Sequence, residues 1–477
     1  MASRLFFCAL LALAACASAP EAPPPGGRWY DIVADDGERL GYASRHEAAD
    51  GGGRMITERQ FYYLREHNSQ PTRIANVTIR WVGSDGQTDR IEETTSTGRF
   101  TSRTSVRRDG ARADVQRITR TETREEMVSL PAGVVLDDGE ALLAAWDVSA
   151  SPRLEFLSFN VNSASVERVV IEATQAGADG RVAAIRRRYE GADLRGVSRI
   201  LLGADGHIIE AAQPVFGETI WFRESSRERV LEAHSPYAVV SNSMVRSPVR
   251  ITSDAQRGHI RYRLSYRDGF DFALPSTGEQ RQLRDGDSVV VDVCETCGEG
   301  GASDPNALSA ALRPTAWLQS DDSRIIAIAA PVARMNVSDA RKMELLIERA
   351  LPYIAELDFN GHYSALDTVI RRAGDCTEAA VLLAALGRAA GIPTRVASGV
   401  TYSRQAYHGV SNAFMPHSWT LAYVDGRWRS FDLALAEFSS THIALTIGDG
   451  DPRSIAAAGQ LASLLVFDGL AEVRTRR

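Results

Sequence analysis

Gly374-Asp375-Cys376-Thr377-Glu378-Ala379-Ala380-Val381-Leu382-Leu383-Ala384-Ala385-Leu386-Gly387-Arg388-Ala389-Ala390-Gly391-Ile392-Pro393 is the stretch that decides the fold of this chain. Asp375 offers a side-chain acceptor to the first free amides of a helix. Glu378 stands three residues on, where a capping box places an acid. Ala379, Leu382, Leu383, Leu386, Ala389 and Ala390 recur at the spacing of one helical face. Gly391 can take the left-handed stop, and Pro393 bars continuation. Cys376 then falls in the first turn. The positive end of the helix dipole favours a thiolate there, so the thiol is expected to titrate below a free one, with Asp375 pushing the other way.

Downstream stand Pro416-His417-Ser418-Trp419 and Arg429-Ser430-Phe431-Asp432. Residues 417–424 read as a strand, Asp425-Gly426 as a two-residue hairpin turn, and 427–432 as the return strand. Val424 then opposes Arg427, and opposed residue numbers sum to 851. His417 and Asp432 become diagonal neighbours on one face, roughly 7–8 Å apart at the backbone, within reach of an imidazole–carboxylate bond. A slip of one residue would send them to opposite faces. A thiol at a helix start followed by His and Asp on consecutive strands is the layout of a Cys-His-Asp nucleophilic site.

The runs GDCTEAAVLLAALGRAAGIPTRVASGVTY, HSWTLAYVDGRWRSFD and THIAL (Thr441 to Leu445) resemble the bacterial transglutaminase-like superfamily, whose core is related to papain-type thiol proteases. The close likeness spans about 80 residues, Leu366 to Leu445, with looser likeness from about Leu312. By that resemblance the nucleophile falls on Cys376, the histidine on His417 and the acid on Asp432. It implies an α+β papain-like domain that transfers acyl groups from peptide or protein amides without a cofactor or metal. Water as acceptor would make it a peptidase or amidase, an amine a cross-linker, and hydrolysis is preferred. The chain departs from the family at Met415-Pro416, where Gly often precedes the histidine, and at Leu433-Ala434, where a Pro- or Thr-containing turn often follows the aspartate.

A lone cysteine in apolar surroundings is more often a small buried hydrophobe, and a papain-like core can serve as a non-catalytic binding or assembly module. His408 is the nearest competing base, in a polar loop. His362 and His442 read as surface or structural residues, and Trp419 and Trp428 as core and pocket wall.

At the amino terminus one Arg precedes the apolar run Leu5 to Leu13, too short to span a bilayer. Leu13-Ala14-Ala15-Cys16 resembles a bacterial lipobox, which would make Cys16 the lipidated first residue of the mature chain and 1–15 the signal peptide. Cleavage after Ala17-Ser18-Ala19 is the alternative, disfavoured by Pro20. Ala17 resembles an outer-membrane sorting residue, so the expected location is the periplasmic side of a bacterial envelope, on a lipid anchor. Residues 16–28 form a Pro-, Ala- and Gly-rich tether.

A chain of 477 residues is long enough for two or three domains. Its net charge of −7 argues against nucleic acid as a partner. Lys342 is the single lysine. Cys294 and Cys297 form a Cys-Glu-Thr-Cys pair, read first as a local disulfide in an oxidising envelope. As half a zinc site it lacks a second ligand pair, and as a redox motif it lacks a βαβ setting. Residues 29–236 read as a mostly antiparallel, curved β region or partial barrel, punctuated by Asp-Gly turns at 36–37, 85–86, 109–110, 179–180 and 205–206, with a short helix at 139–146. Residues 237–300 read as a small β connector whose clearest strand is Ile260, Tyr262, Leu264, Tyr266. Residues 301–477 complete the transglutaminase-like part, with a helix over 338–356 interrupted by Pro352.

Overall fold

The computed structural model describes residues 27–64, 71–97, 100–215, 218–236, 244–300, 304–358, 362–406 and 410–473. The lipobox, Cys16 and His408 lie outside them.

The N-terminal β region is a 14-stranded antiparallel sheet. Eight strands meander from Arg28–Val33 out to Thr123–Ser129. Six return from Arg153–Asn160 to Glu218–Ser225, and this last strand pairs with the first, Trp29 opposite Ser225. The glycine of each of the five Asp-Gly turns has positive φ, a conformation glycine reaches without the clash a Cβ would bring. The expected helix at 139–146 is the single turn Glu140–Ala144. The two sheet edges curl toward each other. Ile91, Val106 and Val115 share a cluster with Leu136 and Phe159, and Arg117 Nη2 donates to Asn162 O at 2.8 Å across the seam. Curling hides strand edges that would otherwise be open to pairing.

In the C-terminal part, a sheet runs in the order Val245–Arg246, Ala413–Val424, Thr394–Ser403, Ile443–Gly448, with Arg427–Phe431 also paired to Ala413–Val424. The helix Cys376–Ala389 packs on it, amid Ser323–Ala333, Asp339–Ala350 and Ala365–Arg371. Its residues Ala379 to Leu386 are all buried. The sequence presents one apolar face, yet the helix is apolar on every side, as a core helix must be, and its alanines let neighbours approach closely. The helix expected over 338–356 ends at Ala350 and passes into the 3-10 turn Leu351–Tyr353, because Pro352 cannot donate to the turn before it.

Residues 244–300 do more than connect. Ile260–Tyr266 pairs on one side with Ser288–Val293 and on the other with Leu465–Glu472, near the end of the chain. Cys294 and Cys297 are joined as a disulfide, Cα atoms 5.1 Å apart. One core holds Leu194 and Val197 of the large sheet together with Tyr262, Val291, Phe414 and Leu461. Polar bonds reinforce that join: Arg195 Nη2 to Ile447 O at 2.8 Å, Val197 N to Gln460 Oε1 at 3.2 Å, and Thr121 Oγ1 to Asp367 Oδ1 at 2.7 Å. Among the described residues, no helix is long and apolar enough to cross a membrane.

Candidate active site

Asp375 caps the cysteine helix as its sequence implies. Its side chain accepts from Thr377 N at 2.7 Å, and Glu378 Oε2 accepts from Asp375 N at 2.9 Å, closing the capping box. Glu378 is fully buried, and its other oxygen takes Tyr363 N at 2.9 Å. Burial first, then Asp375, pushes the Glu378 carboxyl well above the usual range. Cys376 opens the first turn.

The hairpin fixes the other partners. Asp425 and Gly426 have φ of 54° and 77°, the left-handed pair that matches the twist of adjoining strands. Val424 opposes Arg427 and Thr420 opposes Phe431, the register expected from the sequence. Thr420 Oγ1 donates to Ala380 O at 2.9 Å, tying the histidine strand to the cysteine helix.

His417 Nε2 lies 2.6 Å from Asp432 Oδ2. His417 and Cys376 act on each other electrostatically, the imidazole pulling the thiol down and the sulfur pushing the imidazole up. With Nε2 taken by Asp432, Nδ1 is the nitrogen left to face the thiol. Asp432 uses its whole acceptor capacity. Oδ1 accepts the amides of Ala434 and Leu435, both at 2.9 Å, while Oδ2 meets two imidazoles. The second imidazole is His442, whose Nε2 is 2.9 Å away. His442 is 2% exposed, so of its two expected readings, surface or structural, the structural one holds. Its Nδ1 sits against Ser439 N, Oγ and O at 3.2, 3.2 and 3.1 Å, which holds the ring with Nε2 toward the carboxylate. Only the THIAL run pointed to this region of sequence, and it carried no role for the histidine. Trp419 is core as expected, 2% exposed, with its ring 5.0 Å from that of His442.

Gly399 opposes His417 on the neighbouring strand. A Cβ there would meet Ile443 O at 2.0 Å. The missing side chain lets the strand after His442 close onto the sheet, and so brings His442 to Asp432.

The electrostatics are those of a charged pair beside a half-buried thiol. Burial lowers the His417 imidazole, but the Asp432 charge and hydrogen bond overcome it and push His417 up to about 10. Burial would raise Asp432, yet His417 and then His442 hold it well below the usual carboxylate range. Cys376 corrects the sequence reading. Its thiol is pushed up, by burial first and by Asp375 second, against the pull of His417 and the Ser418 main chain. The helix dipole is a local effect of the first turn, whereas burial comes from the tertiary packing and outweighs it. The residue is half-buried, not sealed, so water and substrate can moderate that burial. Among the described residues Cys376 is the free thiol.

His417, Asp432 and His442 offer ligand atoms within 4.8 Å of one another. A metal ion there would have to displace both imidazole–carboxylate bonds. The sulfurs of Cys294 and Cys297, which cluster with His259, are committed to their disulfide.

The transglutaminase-like superfamily model matches residues 326–433, which include Cys376, His417 and Asp432. Among curated proteins none matches significantly. Among solved structures, a "Putative Cysteine Protease from Cytophaga hutchinsonii" is 18% identical, with 46% of this chain and 84% of that one covered and a TM-score of 0.28. A "putative protease from Parabacteroides distasonis" is 12% identical, covering 81% and 70%, at 0.20. A "Beta-barrel-like Protein of Domain of Unknown Function" from Brucella abortus is 9% identical, covering 42% and 95%, at 0.34. The chain thus joins a large antiparallel N-terminal sheet to a domain of the transglutaminase-like superfamily.

Proposed function

We propose that this protein is a thiol acyl-transfer enzyme whose nucleophile is Cys376, and that water is its usual acceptor. The observation that carries this reading is the bonding of Asp432. Both of its oxygens are saturated, so the carboxylate cannot rotate, and it holds His417 through Nε2, which leaves Nδ1 for the sulfur. In the reaction Cys376, its proton already lost to solvent, attacks an amide carbonyl as the thiolate beside the His417 imidazolium. The tetrahedral intermediate collapses, the C–N bond breaks, and His417 protonates the leaving amine. Water then attacks the thioester, losing a proton to His417, and releases the carboxylic acid and the Cys376 thiolate beside the regenerated imidazolium. Asp432 stays ionised throughout and supports the imidazolium. The Cys376 amide, in the first helical turn and without an acceptor inside the helix, is a candidate donor to the oxyanion.

The test uses the full chain and a library of fluorogenic peptide amides. Cys376→Ala should lower hydrolysis by about 10³-fold or more. Equal cleavage by Cys376→Ala, or no cleavage of any amide by a chain whose thiol is free, would favour a binding module built on the same core.

The lipobox-like run supports a second proposal, that the protein is tethered through Cys16 to the periplasmic side of a bacterial outer membrane. Cys16→Ser should abolish metabolic labelling by a fatty-acid analogue, and undiminished labelling would overturn the assignment.

A further inference from the structure

The Cys294–Cys297 disulfide closes the turn that follows the strand Ser288–Val293. Both cysteines are half-buried, and Glu295 and Thr296 between them are exposed, so a reductant can reach the bond. A ring nitrogen of His259 stands within 4.8 Å of both sulfurs, and Asp292 Oδ1 lies 2.9 Å from Nε2 of that ring. A protonated histidine beside a Cys-x-x-Cys pair stabilises the thiolate on which disulfide exchange depends.

Beyond the turn, the chain clasps one edge of the hairpin strand Arg427–Phe431, whose other edge pairs with Ala413–Val424. Gly298 N donates to Gly278 O at 3.1 Å, and Gly300 N to Thr277 O at 3.0 Å. The two segments together take both main-chain groups of Trp428. Gly278 N donates to Trp428 O at 2.7 Å, and Trp428 N to Gly300 O at 3.2 Å. A Cβ at Gly278 would come within 2.6 Å of Trp428 O, and one at Gly300 within 2.4 Å of Arg427 Cβ, so the close approach depends on glycine. Beside the clasp Glu279, 3% exposed, accepts Ser430 N at 2.9 Å and Ser430 Oγ at 3.2 Å. Ser430 Oγ accepts in turn from Trp419 Nε1 at 3.1 Å, and the Trp419 ring lies 6.0 and 5.0 Å from those of His417 and His442. Asp432 follows Ser430 by two residues. Gly298-Glu299-Gly300 gives up much chain freedom when ordered, and the disulfide fixes where that run begins. A loop this short restricts the unfolded chain less than a long one, so opening it costs the clasp more than the whole fold.

We propose that Cys294–Cys297 is an exchange site for a reducing dithiol, and that its opening releases the clasp, loosens the hairpin that leads to Asp432 and slows the chemistry of Cys376. One thiolate of the dithiol attacks a sulfur of the pair, the S–S bond breaks and a mixed disulfide forms. The second thiolate of the dithiol then displaces the protein sulfur. Two electrons and two protons pass to Cys294 and Cys297, and the dithiol leaves as its own disulfide. The effect on Cys376 rests on the acyl-transfer reading, whereas the loosening of the hairpin does not.

The full chain is treated with dithiothreitol under native conditions, its thiols are trapped by alkylation and located by mass spectrometry, and amide hydrogen exchange is followed in peptides covering 427–432. Cys294 and Cys297 should become alkylated while the protein stays folded. Amide exchange over 427–432 should quicken at least ~10-fold, with the helix Cys376–Ala389 unchanged. Cys294→Ser/Cys297→Ser should show the same quickening without reductant and hydrolyse peptide amides at least ~5-fold more slowly. Should that variant fail to fold, the reduced natural chain decides alone. A pair that stays closed until the protein unfolds, a hairpin that exchanges equally in both states, or hydrolysis undiminished by the variant overturns the proposal. Quickened exchange in a chain that hydrolyses no amide in either state would support the clasp and count against the acyl-transfer reading instead.

Discussion

Asp432 ties His417 and His442 into one unit, and its stability signature follows from the two shifted groups. His417 is raised from 6.5 to about 10, so its contribution is complete below pH 6.5 and is lost as pH climbs through about 10. Asp432 is depressed from 3.8, so its contribution is present above that pH and fades on acidification below it. The melting temperature of the protein minus that of Asp432→Asn should therefore be largest between about pH 4 and 6.5 and shrink steadily toward pH 10. A difference that stays constant from pH 5 to 10 would contradict the ion pair. Cys376, His417 and Asp432 were legible because each stands in a local setting the sequence displays: a capped helix start, a strand, a hairpin return. His442 was not. It reaches Asp432 only because Ile443–Gly448 pairs with Thr394–Ser403 at a glycine, a contact between distant segments that no local pattern announces.

The cysteine helix and the hairpin beside it are the elements on which the proposed chemistry rests. Cap and charge can be separated at Asp375. Asparagine caps a helix about as well as aspartate, so Asp375→Asn should keep the melting temperature nearly unchanged. It removes the second-largest influence raising the Cys376 thiol, so alkylation of Cys376 at pH 7 should speed up. An unchanged rate with intact folding would mean that the Asp375 charge does not govern the thiol. The hairpin register was readable to the residue, since a two-residue Asp-Gly turn admits one pairing. The direction of the thiol's titration was misread, since the dipole belongs to the helix alone and burial to everything packed around it. The length of the helix after Ser338 was misread for a simpler reason: Pro352 acts on the turn before it, and the helix stops at Ala350.

At the scale of the molecule, the antiparallel N-terminal sheet was visible in its alternation and its Asp-Gly turns. Its closure was not. Curling depends on contacts such as that of Arg117 with Asn162 across 45 residues. The strand Leu465–Glu472 likewise gave no hint that it completes a sheet begun at Ile260. The proposed reactive unit depends on this assembly, because Cys376, His417 and Asp432 come from a helix, a strand and the end of a hairpin. The most direct test is the rate at which iodoacetamide modifies Cys376 in the folded full chain, measured from pH 6 to 10 and compared with His417→Ala. The account predicts modification that accelerates with rising pH and is at least ~10-fold faster in the natural chain than in the variant near pH 8, a loss of about 1.4 kcal/mol of thiolate stabilisation. A sulfur that stays unmodified until the protein unfolds, or one that reacts equally fast without His417, would contradict it.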